Sequence, residues 1–308
     1  MSDTDYIYAG TRAKALENQL LSENQMELLL SAKSVDEVHT VLQNTFLAPH
    51  LLSKDKKEKP SAKVALEESV QEAKSVLNSI APEPKLLFIL WLRYDYHNLK
   101  AIIKGTRAKN NAEEILQSCF NIGIFSPEEL LRAYEDKKLH LLNGHFKEAA
   151  DKASGAKQVF EIDLTMNKYY FKSILTIAEG SEDPFVMEYV KLLINIYNIK
   201  AALRAHKLEE VDIKDVYVPG GQFSKKDLEN KKGILDSLRH IGGEKIWSDA
   251  IKKYEETEET TLIEKTTSEY IFKFLQEKSA DLFSPAPLFS YFMAKKNNAQ
   301  TIAAIIVA

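Results

Sequence analysis

The sequence predicts an all-α protein built from three similar helical units. Three observations carry this. First, the stretch Leu92-Arg-Tyr-Asp-Tyr-His-Asn-Leu-Lys-Ala-Ile-Ile-Lys-Gly105 recurs. It returns as Leu192-Leu-Ile-Asn-Ile-Tyr-Asn-Ile-Lys-Ala-Ala-Leu-Arg204, then as Ala294-Lys-Lys-Asn-Asn-Ala-Gln-Thr-Ile-Ala-Ala-Ile-Ile306. Self-similarity at a fixed period marks one supersecondary unit used repeatedly. Second, only 11 glycines and 9 prolines punctuate 308 residues, which favours long helices over the many turns of an all-β fold. Third, a serine-headed cap, an acid and an amide-bearing helix follow one another in the same order three times. The units run over 1–105, 106–205 and 206–308.

In the first unit, Tyr6 to Leu21 is rich in helix formers, with Ala9, Ala13, Leu16 and Leu20 along one face. Ser22-Glu-Asn-Gln25 reads as a capping box: the serine oxygen takes one orphan N–H and the glutamine another. A helix near Val35 to Leu47 follows, presenting Val38, Val41 and Leu42, and Pro49 is expected to end it. Ser53 to Pro60 has no apolar residue and reads as an exposed loop. Helical spacing returns from Ala62 to Ile80 through Val64, Leu66, Val70, Ala73 and Leu77, until Pro82 and Pro84 break it. The anchor helix runs from about Lys85 to Lys104, with Gly105 as its expected stop.

The second unit opens on Ser126-Pro-Glu-Glu129, a capping box with proline at the first helical position, where its missing N–H costs nothing. A long helix starts at Phe160, and Asp163 takes the place of Glu67. Gly180 to Pro184 breaks the chain before the second anchor copy. In the third unit, Val218-Pro-Gly-Gly221 is a turn and Ser224-Lys-Lys-Asp227 a shorter-armed cap. Gly242-Gly243 suggests another helix end, and Glu264 is the third acid. Ser284-Pro-Ala-Pro287 precedes the last anchor copy, beyond which a short further tail is expected.

Each anchor copy holds a polar pair in an otherwise apolar segment: Asp95 and Asn98, Asn195 and Asn198, Asn297 and Gln300. In this register Ile302 stands where Lys100 and Lys200 stand. The pairs either face a partner or are buried and bond a neighbouring helix end. The second reading is favoured, since a feature used once per repeat usually belongs to the repeat's own fold. Lys100, Lys104, Lys200 and Arg204 place basic charge at matching points of two units. They are candidate interface residues, with a solvated face as the plainer alternative.

Catalytic signatures are absent. No Gly-x-x-x-x-Gly-Lys-Ser/Thr or Gly-x-Gly-x-x-Gly occurs, so neither phosphate cradle is present. The seven histidines make no His-Glu-x-x-His, and His140 and His145 are poorly spaced for one helix face. His97 has no counterpart histidine in the other anchor copies. No catalytic, cofactor or metal site is expected. Forty-one basic against 45 acidic residues disfavours a nucleic-acid binder. The single cysteine, Cys119, excludes an intrachain disulfide and fits a reducing compartment. The start lacks the basic and apolar regions of a signal peptide, and no run approaches the ~20 apolar residues of a membrane helix.

These residues resemble the C-subunit family of archaeal and bacterial V-type ATPases, related to the d subunit of the eukaryotic vacuolar proton pump. The resemblance rests on Tyr6-Ile-Tyr-Ala-Gly-Thr-Arg12 with Leu20-Leu21, Tyr94-Asp-Tyr-His-Asn-Leu-Lys100, and Ile162-Asp163 with Tyr169-Tyr170-Phe171. Asn195-Ile-Tyr-Asn-Ile-Lys200 and Val218-Pro-Gly-Gly221 complete it. Gln300-Thr301-Ile302 departs from the hydrophobic, Asn and Arg run of the family. The resemblance implies a funnel of three helical domains around a pseudo-threefold axis, without an active site or cofactor. It implies a rotor part at the cytoplasmic face of the membrane. That part couples a central shaft of D and F subunits to the proteolipid ring during proton or sodium translocation. The alternatives are a helical scaffold or adaptor unrelated to rotary ATPases, and a helical hydrolase with a scattered metal site.

Overall fold

The computed structural model describes residues 5–51, 62–208 and 212–307, and every regular element among them is helical. The expected loop Ser53–Pro60 lies outside the described residues. In chain order the helices begin with α1 (Asp5–Glu17), α2 (Glu23–Ser31), α3 (Val35–Leu42), α4 (Ala48–Leu51) and α5 (Ala62–Ile80). Next come α6 (Phe88–Arg107), α7 (Ala112–Gln117), α8 (Pro127–Glu135), α9 (Leu139–Leu142), α10 (Gly144–Ser154) and α11 (Val159–Ser181). Then follow α12 (Pro184–Leu208), α13 (Ile213–Val216), α14 (Lys231–His240), α15 (Glu244–Thr257), α16 (Thr261–Lys278) and α17 (Ala286–Val307). The expected boundary at 105 falls in the last turn of α6, and that at 205 falls within α12.

Local chemistry sets most helix starts. Ser22 accepts the N–H of Gln25 at 3.2 Å, and the Gln25 side chain accepts the N–H of Ser22 at 3.0 Å. Ser126 and Glu129 exchange the same two bonds at 3.2 and 2.8 Å. The third cap differs from expectation. Asp227 accepts both the N–H and the O–H of Ser224, so the serine oxygen donates instead of capping. Only a 3₁₀ turn follows, and α14 starts later, where Asn230 accepts the N–H of Gly233. α3 ends at Leu42, before Pro49, which lies inside α4.

Gly105 is not the stop of its helix. It lies buried in α6, and a Cβ there would press into Ile115 of α7. It is a glycine of close approach; α6 continues to Arg107, and Lys109 turns the chain at a φ of 63°.

The chain packs as two compact units, Met1–Leu87 with Phe274–Ala308, and Phe88–Lys273. In the first, α17 lies against α1, α5 and α2. Leu66, Val70, Ala73 and Leu77 bury the stripe of α5, while Val64 stays exposed. Phe289, Phe292 and Ile302 bury α17, each side chain contributing about 1.5–3 kcal/mol. In the second unit, α6 packs on α7, α8, α10 and α11, and α12 packs on α11, α13 and α14. Trp91, Phe146, Ile162, Ile194 and Trp247 form its interior. Each anchor helix thus packs on other helices of its own unit, α6 and α12 in the second and α17 in the first.

Candidate functional site

Asp95 and Asn98 lie fully buried on α6 and hold the loop that leads into α8. Asn98 donates to the carbonyl of Phe120 and accepts its N–H, both at 2.8 Å. Asp95 accepts the N–H groups of Ile124 at 2.9 Å and Phe125 at 3.1 Å. The loop reaches that carboxyl only because residue 123 is glycine: a Cβ there would overlap Oδ1 of Asp95.

α12 repeats this construction. Asn198 donates to the carbonyl of Val218 at 2.7 Å and accepts its N–H at 2.8 Å. Asn195 accepts the N–H of Gln222 at 2.6 Å, and Gly221 occupies the place of Gly123. Counting back from the following serines, Ser126 and Ser224, the bonded loop positions coincide. These buried bonds satisfy loop amides that would otherwise cost about 1–3 kcal/mol each.

The third copy differs from its expected register. Gln300 is exposed, and Asn297 is a partly buried residue whose carbonyl accepts the Thr301 hydroxyl. Asn298 also holds a segment before a cap, but at another position: its Oδ1 accepts the N–H of Leu21, one residue before Ser22, at 2.9 Å, as Asp95 accepts that of Phe125 before Ser126. Gln300 lies two positions further on, about 200° around the helix, and so points away. Burial of Ala299 and Ile302 matches that of Leu99 and Ile102, and of Ile199 and Ala202. The adjacent pair Asn297-Asn298 carried both possible registers in the sequence, and only packing separates them. Lys295 then takes the place of Asp95 and Asn195. Its ammonium sits 3.6 Å from the centre of the Phe46 ring, and burial pushes it down to about 8 while Glu72 opposes the shift.

The basic pairs meet the repeated acids. Lys100 approaches Asp163 at 3.2 Å and Lys104 at 2.7 Å. Arg204 meets Glu264 at 2.7 Å. Lys200 is half-buried, and burial holds its ammonium below the usual lysine range while Glu264 pulls it back. At the α17–α5 junction the matching positions hold Gln300 and Ala304, and Glu67 of α5 is exposed.

Several buried or half-buried titratable groups serve packing. His97 stacks beside Phe120, with centroids 4.8 Å apart, and burial followed by Lys100 lowers its affinity for a proton. His145 and Tyr96 share the Ser173 hydroxyl at 3.0 and 2.7 Å. Burial pushes the Cys119 thiol up to about 11, which keeps it protonated and unreactive at neutral pH. Among the described residues no three His, Cys, Asp or Glu side chains converge to hold a metal.

The described helices and their junctions define an all-helical protein whose buried amides and carboxyl hold its own connecting loops. The chain belongs to the ATP synthase (C/AC39) subunit family, whose model matches residues 9–308. It is 24% identical to the C subunit of the A-type ATP synthase of Methanocaldococcus jannaschii, across 98% of this chain and 82% of that one. The C subunit of the Pyrococcus horikoshii A-type ATP synthase is 25% identical, with 98% and 86% covered. The C subunit of the V-type sodium ATPase of Enterococcus hirae is 22% identical, with 98% and 93% covered. The chain is thus a V/A-type ATPase subunit.

Proposed function

We propose that this chain is a non-catalytic central-stalk rotor subunit, a socket that couples a shaft of D and F subunits to the membrane proteolipid ring. In this reading its units, 1–105, 106–205 and 206–308, surround a pseudo-threefold axis as a funnel at the cytoplasmic face. The single observation that carries it is the matching construction of the α6 and α12 junctions. Asn98 and Asn198 each exchange two bonds with the residue six before the following serine, and Asp95 and Asn195 each hold the residue two before it. Equivalent junctions suit a socket, because like contacts can share a torque. Association with the membrane goes through other subunits: among the described residues no helix is long and apolar enough to cross a bilayer. Lys100, Lys104, Lys200 and Arg204 are the proposed charged contacts. Lys200 leads them, because the other three already face Asp163 or Glu264 within the chain.

The test mixes the purified chain with the D and F subunits and with the detergent-solubilised ring. A stoichiometric complex bridging shaft and ring is expected on size-exclusion chromatography, and failure to bind either one overturns the proposal. Calorimetric titration with ATP and magnesium should find no stoichiometric micromolar site.

A further inference from the structure

Lys152, Lys168, Lys172 and Lys225 lie on α10, α11 and the 217–225 loop of the second compact unit. Lys152 of α10 and Lys172 of α11 each stand 5.4 Å from the centre of the Tyr169 ring, so their ammoniums are separated by at most about one Debye length. Lys168 lies on the same helix, and Lys225 stands over the Tyr217 ring at 5.4 Å. Lys168 is held below the usual lysine range, chiefly by burial; Lys225 and Lys152 press in the same direction, and Asp215 opposes them. Among the described residues, Glu148 stands 3.1 Å from Lys172 and Asp215 acts on Lys168.

The repeat itself offers a comparison. Aligning the acids Glu67, Asp163 and Glu264 places Glu72 and Glu269 where Lys168 stands. The helical scaffold therefore tolerates an acid at this position in both other copies. Clustering like charges on a half-buried helix face costs stability.

We propose that this face of α10, α11 and the 217–225 loop is a docking surface for an acidic segment of a partner protein, one carrying spaced Asp or Glu side chains. Lysines give point charges without the planar fork of arginine, so the surface suits several separated carboxylates and not one clamped group. Glu148 and Asp215 favour a protein over a lipid surface. A bilayer of anionic headgroups presents one sign across its plane and would press like charge on both carboxylates. A protein segment can place its acids opposite the lysines alone.

The test uses the full chain and a fluorescent poly-glutamate peptide of about twenty residues, read by anisotropy at low and physiological salt. Lys152→Gln, Lys168→Gln and Lys225→Gln together should weaken binding at least tenfold and flatten its salt dependence. The same three positions changed to Arg should retain binding within about threefold. Changing Lys252, Lys253 and Lys265 to Gln should leave it within about twofold. Equal losses in the two Gln variants, or no binding by the wild type, would overturn the proposal. Tighter sedimentation with phosphatidylserine vesicles than binding to the peptide would overturn it in favour of a lipid surface. If the Gln variant fails to fold, the Arg variant decides: lost binding with intact helicity refutes a charge-based surface.

Discussion

Lys295 is the sharpest place to test the energetics of this fold. It is 4% exposed on α17, where the other anchor helices carry Asp95 and Asn195. Lys295→Met keeps the length of the side chain and its packing on Phe46 but removes the charge. In the folded protein the ammonium is pushed down to about 8, from an ordinary value of 10.5, with burial as the main cause. The sign follows from proton binding. Between these values the unfolded chain holds the proton and the folded chain releases it, so wild-type stability rises with pH across that window. The full cost applies below pH 8 and is relieved progressively as pH rises toward 10.5. At about 1.36 kcal/mol per unit the cost at neutral pH is about 3 kcal/mol. The cation over Phe46 returns up to about 2 kcal/mol of this. Lys295→Met should therefore be more stable than wild type by about 1–3 kcal/mol at pH 7, with the difference shrinking above pH 8 to under about 1 kcal/mol near pH 10. Urea denaturation of both proteins at pH 7, 8, 9 and 9.8, followed by helical circular dichroism, measures it. The comparison is between proteins at each pH, because buried tyrosines such as Tyr291, raised to about 12, destabilise both alike at the alkaline end. A gap that stays constant with pH, or a variant less stable at pH 7, would refute the reasoning.

Three further outcomes are expected. Asn198→Ala strands the N–H and carbonyl of Val218 in a buried junction and should cost about 2–4 kcal/mol, while Gln300→Ala stays within about 0.5 kcal/mol. Denaturation midpoints separate the two, and equal costs would contradict the register set by Asn298. Gly221→Ala drives a Cβ into Asn195 Oδ1 and should cost about 2 kcal/mol; much less should be added in an Asn195→Ala background, a coupling that a double-mutant cycle reads. Lys200→Gln should weaken association with the shaft subunits at low salt and reduce its salt dependence, with the melting temperature of the isolated chain little changed; unchanged binding would remove Lys200 from the interface.

The helices and their starts were legible in the sequence because their causes are local. The stripe of α5 from Ala62 to Ile80 and the two reciprocal caps at Ser22 and Ser126 involve residues a few positions apart. Steric limits and hydrogen-bond reach act there without the rest of the chain. The likeness of the α6 and α12 junctions was legible too, since Asn195 and Asn198 answer Asp95 and Asn98 in the sequence. What Asp95 and Asn98 touch was not, because their partners lie 22 to 30 residues away along an irregular loop. Gly105 has the composition of a helix stop, and only the approach of Ile115 makes it a packing glycine. The third register depended on which face of α17 meets α1 and α5, and a two-residue ambiguity reverses that face. Lys295 lay unnoticed among Ala294-Lys-Lys-Asn-Asn298, since its charge signals exposure until α17 is packed. Local propensity wrote the helices; the tertiary structure decided which side chains they bury, because burial belongs to the surfaces brought together and not to any one segment.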